Sequence, residues 1–411
     1  MQGGWVEFKL WLSNCYGSNW KTIPMLAKLP EVNWGRLVHA YGAADDVPGL
    51  IRGLASSRPK WRRKAMQELY VNIWHQGTVY EATGYAVPFL IGLLEAEVVQ
   101  DKPEILMLLS EIARGNSYHE VHQHGFLKEQ AQTPEWQGAI RKELVWVRAA
   151  KEAVLAGKPI YLKLLAHPEM KVRESAPYLL ACLPRESVGM ADELWKRLHE
   201  EREPQVRASL ILAIGVITTD RNLAEQQFEQ LLLDERDPVV RLAVAMSLMR
   251  LTGGKMREDV VVILLEAIAN PELVSKEFGK SPWADAGNIE AQVSEYLSLL
   301  TGEAAGRAVP LLAKALASAD AYSALSITSA MLSLAFERKP MPKDTRVNEL
   351  SERQRLVLAS ILQSDTAWIC NGNMSDILRG YGVPSWRNKL EIFLKTEDGD
   401  RSSFHSSGTP T

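Results

Sequence analysis

Apolar residues in the middle of the chain form pairs of helix-length segments that recur at a fixed interval. The pairs are 158–166 with 170–183, 189–201 with 204–217, and 222–233 with 237–252. The second segment of each pair is apolar almost all round, which is typical of a helix packed between neighbouring helices. The pattern therefore predicts helical hairpins that stack on one another, and it predicts no β-strands.

An arginine preceded by a valine marks the second helix of each pair. These arginines are Arg173, Arg207 and Arg241, which lie 34 residues apart. Such a period is typical of an α-solenoid, in which every hairpin meets its neighbour in the same way. We therefore predict that the arginines brace the seams between hairpins by bonding to helix-end carbonyls or to carboxylates such as Asp192, Asp234 and Asp237. A stripe that binds phosphate groups is the alternative.

Further hairpins are predicted on both sides of this centre. A Val-Pro pair followed by a leucine-rich turn places them at 45–74, 84–114 and 302–336. Segment 134–156 predicts one long helix. Segment 257–300 predicts two helices separated by a loop at Pro282–Gly287.

The ends of the repeat region carry similar apolar stripes. One runs from Trp34 to Tyr41 before Gly42, and the other from Ile377 to Tyr381 before Gly382. Glycine is well suited to the left-handed residue that ends a helix, so both stripes predict terminal helices. A solenoid needs such helices to cover its last apolar face.

The repeats predict three regions in the chain. Residues 25–395 form a solenoid, residues 1–24 form an extension outside the repeats, and residues 396–411 form a polar tail that we expect to be disordered. One hypothesis for the extension is that Met25 is the natural start of the protein.

Composition limits the classes of function. The formal net charge is -3 and the pI is about 6.3, which disfavours a nucleic-acid partner. The three cysteines, Cys15, Cys182 and Cys370, are too few and too far apart for a disulfide framework or a zinc site. The first residues lack the features of a signal peptide, and no apolar run reaches the ~18 residues of a membrane span. We expect a cytoplasmic protein that binds no metal and no cofactor.

The repeats resemble a known family. The Pro-x-Val-Arg signature, as in the segment Pro238 to Ala245, is similar to HEAT repeats and to the HEAT-like repeats of phycobilin lyases. Two stretches, His39 to Leu90 and Trp368 to Pro384, resemble a group of uncharacterised bacterial HEAT-repeat proteins. The resemblance covers roughly 33–395. It implies an all-α fold, an α-α superhelix of helical hairpins, and a role in binding other macromolecules, and it brings no assigned catalytic residues.

Two loops are candidates for binding. Segments 75–83 and 115–133 are long for connections between helices, and each follows the second helix of a hairpin, so both should emerge at the same edge. The candidate residues they bring together are His75, Gln76, Tyr80, Glu81, Tyr118, His119 and His122. The alternative is that the first loop only packs Tyr80 on the next helix and caps it.

Other polar clusters have simpler explanations. His119, His122 and His124 could offer metal ligands, but no cysteine or aspartate follows at metal-binding spacing, so we expect solvated histidines. The basic run Lys60–Lys64 contains Trp61, which we expect in the core with the charges in solvent. No nucleophile is paired with a base.

The combined pattern predicts a scaffold without catalytic activity that binds a protein partner along its concave surface. One alternative is an enzyme similar to helical-repeat DNA glycosylases or to phycobilin lyases. Another is a regulatory or antitoxin-like partner of a neighbouring gene product. A basic groove lined by tryptophan would favour the glycosylase, whereas a cleft large enough for a tetrapyrrole would favour the lyase.

Overall fold

The structure of the chain is a computed structural model that describes residues 19–123, 129–183, 190–252, 257–284 and 289–395. The chain divides into two compact units, an N-terminal unit of residues 1–217 and a C-terminal unit of residues 218–411. Residues 1–18 of the predicted extension, His124 and the predicted tail 396–411 lie outside the described residues.

The N-terminal unit consists of helices and two short hairpins. Its helices are α1 (Val47–Leu54), α2 (Pro59–Asn72), α3 (Glu81–Glu95), α4 (Lys102–Arg114), α5 (Tyr118–Val121), α6 (Pro134–Ala156), α7 (Lys158–Leu164), α8 (Met170–Cys182), α9 (Met190–Glu200) and α10 (Pro204–Ile217). Short 3-10 helices cover Asn19–Thr22, Pro24–Glu31, Trp34–Arg36 and Gln130–Gln132. Many of the α-helices have a proline in their first turn, where its missing N–H costs no hydrogen bond.

The core of the N-terminal unit lies between stacked helices. Helix α4 packs against α8, and α8 packs against α10, so that α8 has a helix on each side. This position explains why Leu106, Leu179 and Leu210 are fully buried. The long helix α6 packs against α3, as expected for a helix that lacks a hairpin partner of its own. Residues 19–24 join this core through Ile23, which is 3% exposed.

The C-terminal unit repeats this arrangement. Its helices are α11 (Arg221–Asp234), α12 (Pro238–Thr252), α13 (Glu258–Ala269), α14 (Glu272–Phe278), α15 (Ile289–Leu297), α16 (Gly302–Ser318), α17 (Ala321–Ala335), α18 (Glu352–Gln363), α19 (Asn371–Gly380) and α20 (Arg387–Lys395), with 3-10 helices at Val347–Glu349 and Thr366–Trp368. Helix α12 packs on α11 and α13, and α17 packs on α15 and α16. Within the described residues the chain is helical apart from short hairpins and loops, which confirms the all-α fold of helical hairpins.

Three details of the prediction are wrong. Segment 257–300 contains α13, α14 and α15 rather than two helices, because Asn270 and Pro271 interrupt the first one. The stripe from Trp34 to Tyr41 is not a helix. It forms a 3-10 turn followed by an antiparallel hairpin of β1 (Val38–His39) and β2 (Gly42–Ala43).

The expected absence of strands is also wrong, since a second hairpin pairs β3 (Trp74–His75) with β4 (Thr78–Val79). Gly77 lies in the turn of the second hairpin at φ 89°, whereas Gly42 is the first residue of β2, directly after the turn, at φ 125°. Gly382, predicted to end the last stripe, does follow α19 at φ 68°. A terminal glycine therefore fits a hairpin turn as well as a helix end.

Candidate functional site

The β3–β4 hairpin sets the position of the first candidate loop. Its two-residue turn, Gln76 at φ 48° and Gly77 at φ 89°, has the positive φ angles of the tight turns that suit hairpins. The hydroxyl of Thr78 donates to the carbonyl of His75 over 2.7 Å and lies 2.8 Å from the Tyr80 hydroxyl. The loop predicted from its length is therefore an ordered hairpin that holds His75 and Tyr80 in place.

The second candidate loop is bonded directly to this hairpin. The N–H of Asn116 donates to the carbonyl of Gly77 over 2.9 Å, and the N–H of Val79 donates to the carbonyl of Asn116 over 3.1 Å. Thr78 and Asn116 thus form a parallel bridge between the two loops. The structure brings the loops together at one edge, as their connectivity predicted.

A buried glutamate from α6 holds the second loop. Glu143 is 8% exposed, and its Oε2 accepts hydrogen bonds from the Ser117 hydroxyl at 2.6 Å and from the N–H of His119 at 3.0 Å. Its Oε1 lies 2.6 Å from Nδ1 of His119. A buried carboxylate needs this many donors to offset its lost hydration. Glu143 therefore fixes both the backbone of α5 and the His119 ring.

Trp136 also holds His119 in place. The two rings pack edge to face with centroids 4.6 Å apart, and the indole N–H of Trp136 donates to the His119 carbonyl over 3.1 Å. Sequence reasoning missed both Trp136 and Glu143. The sequence contained a signal for Glu143, because Trp136, Ile140 and Glu143 are spaced so that they share one face of α6. A glutamate on an otherwise apolar face indicates a buried polar contact.

Aromatic rings cover the outer side of this framework. Tyr118 stacks on His122 with centroids 4.3 Å apart, and Tyr41 meets His75 edge to face at 5.5 Å. Tyr41 is 65% exposed and Tyr118 is 39% exposed. We call the exposed and half-buried rings of this edge the edge patch, and its members are Tyr41, His75, Tyr80, Tyr118, His119 and His122.

Tyr80 lies at the centre of the edge patch. Burial raises the pKa of its phenol, the hydrogen bond with Thr78 opposes this shift, and Glu143, Tyr118 and Tyr41 raise the pKa further. The neighbours that act on this phenol come from the first hairpin, from α5 and from α6. At neutral pH Tyr80 is therefore a neutral phenol whose charged form would be opposed by groups of all three segments.

Gln76 and Glu81 lie beside the patch. Gln76 is exposed at the hairpin turn. Glu81 is the first residue of α3, where a negative charge is favoured by the positive end of the helix dipole. Tyr80 precedes this helix, and its N–H donates to the Thr83 hydroxyl over 2.9 Å as part of a capping box. Packing and capping thus account for part of this segment, as the alternative interpretation expected.

The fixed rings also have defined hydrogen-bonding directions. Nδ1 of His119 is committed to Glu143, and Nδ1 of His122 lies 2.8 Å from the Tyr118 carbonyl, an atom that can only accept. With Nδ1 protonated, Nε2 of His122 is left with a lone pair. Among the described residues no three His, Cys, Asp or Glu side chains are grouped so that they could hold a metal ion.

The basic run Lys60–Lys64 differs from its prediction. Arg62 is buried at 6% exposure, its Nε lies 2.7 Å from the Asp101 carboxylate, and its Nη1 donates to the Ser56 carbonyl over 3.0 Å. Trp61 is half-buried, whereas Ala65 is fully buried. The expectation of solvated charges is wrong for Arg62, because this residue ties the α1–α2 turn to the start of α4.

The repeat arginines bond at the ends of helices. Nε of Arg173 lies 2.9 Å from the Glu201 carboxylate, and its Nη1 donates to the His167 and Pro168 carbonyls over 2.9 Å each. Arg173 thus links the α7–α8 turn to the end of α9. The N–H of Arg207 donates to the Glu203 carbonyl in the first turn of α10, and its side chain is half-buried.

Arg241 bonds in the same manner to backbone carbonyls. Its Nη1 donates to the carbonyls of Leu232 at 3.3 Å and Glu235 at 3.0 Å. The predicted aspartate partners are not used by Arg173, because its partner is Glu201 and Asp192 is exposed. Asp237 instead accepts hydrogen bonds from the N–H groups of the first turn of α12.

Glu201 was missed although it recurs with the arginines. It precedes Pro204 by three residues, and Glu235 precedes Pro238 by the same distance. Glu201 Oε1 accepts from the N–H groups of the next two residues, at 3.0 and 3.2 Å, and Glu235 Oε1 does the same at 2.9 Å for both. The 34-residue interval between the two glutamates was the signal that could have identified them.

Comparisons with known proteins identify no family for the chain. No family model matches the chain, and no curated protein matches it. Among solved structures, the chain is similar to the crystal structure of an engineered protein at 18% identity and a TM-score of 0.31, over 86% of this chain and 89% of that chain. Within the described residues, every helix is too short or too polar to cross a membrane.

Proposed function

We propose that the chain is a HEAT-like helical-repeat protein of the cytosol that binds a protein partner and catalyses no reaction. The edge patch is the contact surface. The observation that carries this proposal is the exposure of Tyr41 and Tyr118 on a framework that fixes their neighbours. Protein interfaces are enriched in tyrosine and other aromatic residues, and a few such side chains supply most of the binding energy.

The rigidity of the patch supports a role in recognition. Glu143, Ser117 and Trp136 hold α5, while the bridge between Thr78 and Asn116 holds the hairpin. Side chains that are ordered before binding lose little conformational freedom when a partner arrives. Loops placed on a rigid scaffold in this way are common binding sites.

The bonding of Arg62 and of the repeat arginine Arg173 gives no support to a nucleic-acid partner. Arg62 is paired with Asp101, and Arg173 is paired with Glu201, so their charges are engaged inside the unit. A nucleic-acid surface needs several cations that face the phosphates.

The test is affinity capture from the host with variants of the patch. Tyr41→Ser and Tyr118→Ser together remove the two exposed phenols, and we expect the captured partner to be lost or weakened by at least about tenfold. The matched control is Tyr322→Ser with Leu273→Ser, two residues of the C-terminal unit that are 71% and 61% exposed. Equal recovery with the patch variant and the wild type would reject the edge patch as the contact surface.

A further inference from the structure

The segments that build the edge patch contain no fixed positive charge. The sequence has no lysine or arginine between Arg36 and Arg52, none between Lys64 and Lys102, and none between Arg114 and Lys128. These three intervals include both hairpins and α5. In a chain with 47 lysines and arginines, such intervals leave the two hairpins and α5 with carboxylates, phenols and imidazoles as their ionisable groups.

Carboxylates lie on or next to the segments that carry these rings. Asp45 and Asp46 follow the first hairpin, Glu81 begins α3, Glu120 lies in α5, and Glu143 lies beneath α5. Asp46 is held 3.2 Å from Nε2 of His39, and its other oxygen accepts from the Asn72 amide over 2.7 Å. These segments carry fixed negative charges and no fixed positive charge, and a surface of that kind attracts cations.

Two cations close in sequence to these segments contact other residues. Arg52 lies over the ring of Trp20, with its guanidinium carbon 4.8 Å from the ring centre. Lys142 of α6 lies over the ring of Trp146 at 5.1 Å. Successive residues of a helix point about 100° apart, so Lys142 does not share the direction of Glu143.

The patch also offers hydrogen-bond acceptors and aromatic faces. The Nε2 lone pair of His122 and the phenol oxygen of Tyr118 can accept, since Nδ1 of His122 is occupied by the Tyr118 carbonyl. Tyr41 and Tyr118 add exposed rings. Arginine presents five N–H donors in a plane and stacks on aromatic rings, so it matches such a surface better than the compact ammonium group of lysine.

We propose that the edge patch binds an arginine side chain in a basic segment of the partner protein. The proposal rests on the proposed function, in which this patch is the contact surface. The guanidinium lies against the exposed rings of Tyr41 and Tyr118 and donates to acceptors of α5. The carboxylates of Glu81 and Glu120 supply the opposite charge.

The first experiment compares synthetic peptides that differ in one functional group. A short glycine–serine peptide carrying two arginines is titrated into the full chain, and the imidazole NMR signals of the histidines are followed. The same peptide with citrulline keeps the shape and loses the charge, and a third peptide carries glutamate. We expect the arginine peptide to shift the His122 signals and to bind at least about tenfold more tightly than the citrulline peptide at low salt.

The second experiment uses variants of the protein. Glu120→Gln and Tyr118→Leu should each weaken the arginine peptide by about fivefold, and circular dichroism confirms that both remain folded. Tyr322→Leu is the control and should leave the affinity unchanged. Equal binding of the citrulline peptide, tighter binding of the glutamate peptide, or tighter binding of a single-stranded oligonucleotide would overturn the proposal.

The two proposals fail in different ways. If partner capture depends on Tyr41 and Tyr118 but the arginine peptide does not bind, the arginine proposal is wrong and the contact surface stands. If capture does not depend on these tyrosines, the edge patch is not the contact surface, and the arginine proposal is then wrong as well.

Discussion

The substitution Glu201→Gln tests the account of the seam between hairpins. Glu201 Oε2 lies 2.9 Å from Nε of Arg173 and 2.7 Å from Nη2 of Arg197, while Oε1 accepts from the N–H groups of Arg202 and Glu203. The side chain is 4% exposed. Glutamine keeps one acceptor, but it removes the charge and places an NH₂ group in a site surrounded by donors.

The expected loss in the free energy of unfolding follows from the pKa of the Glu201 carboxyl. Burial raises the pKa, but the hydrogen bonds from Arg173, from the Glu203 N–H, from Arg197 and from the Arg202 N–H outweigh it and lower the pKa from 4.5 to about 2. At about 1.4 kcal/mol per unit, the charge stabilises the fold by about 3 kcal/mol at neutral pH. For a unit of this size, about 3 kcal/mol corresponds to a fall in Tm of roughly 6–12 °C.

Thermal unfolding followed by circular dichroism measures this effect. Glu200→Gln is the matched control, because Glu200 is the preceding residue, its side chain is 57% exposed, and its distance to Arg197 is 3.4 Å. We expect the control to change stability by less than about 0.5 kcal/mol.

The pH dependence of stability independently checks that the charge of Glu201 stabilises the fold. A depressed pKa gives stability that is fully present above the unfolded-state value of 4.5 and is lost as the pH falls toward about 2. The difference in stability between the wild type and Glu201→Gln should therefore narrow as the pH is lowered through this window. A difference that stays constant below pH 4.5, or a control as damaging as the variant, would refute the reasoning.

Three further substitutions test other parts of the structure by the change in free energy of unfolding. Gly77→Ala places a side chain at φ 89° and should cost about 1–2 kcal/mol in urea unfolding. Arg62→Met leaves a carboxylate and a carbonyl without their donor and should cost about 2–3 kcal/mol, whereas exposed Arg63→Met should be near neutral. Phe228→Ala leaves a cavity at a fully buried site and should lower the free energy of unfolding by about 3–5 kcal/mol. Leu233→Ala is the control, because Leu233 is 59% exposed, and it should change stability little. Similar values for the two variants would contradict the assignment of Phe228 to the core.

Predicted and observed helices agree best where local signals coincide. The segment 204–217 was predicted from its proline and its apolar pattern, and α10 spans Pro204–Ile217. The long helix 134–156 was likewise found as α6 with the same ends, since Thr133 caps it and Gly157 follows it. Caps, prolines and apolar stripes act over a few residues, so a linear pattern is sufficient to recognise them.

The stripe from Trp34 to Tyr41 shows where such patterns mislead. Its apolar spacing fits a helix, yet Trp34 packs against Phe89 and Tyr41 packs against His75, both of which lie far along the chain. Short apolar segments fit several local structures, and their distant neighbours select one of them.

The amino-acid sequence was sufficient to predict the stacked helical hairpins, the interval of the arginines and the edge where the two loops meet, because each of these follows from periodicity and connectivity along the chain. The contacts that hold the edge patch and the seam between hairpins could not be predicted in this way. Glu143 reaches His119 across 24 residues of sequence, and Arg173 reaches Glu201 across 28. The sequence could mark Glu143 and Glu201 as unusual, but which partner each one bonds depends on which buried donors and acceptors meet after packing, and only the folded structure decides that.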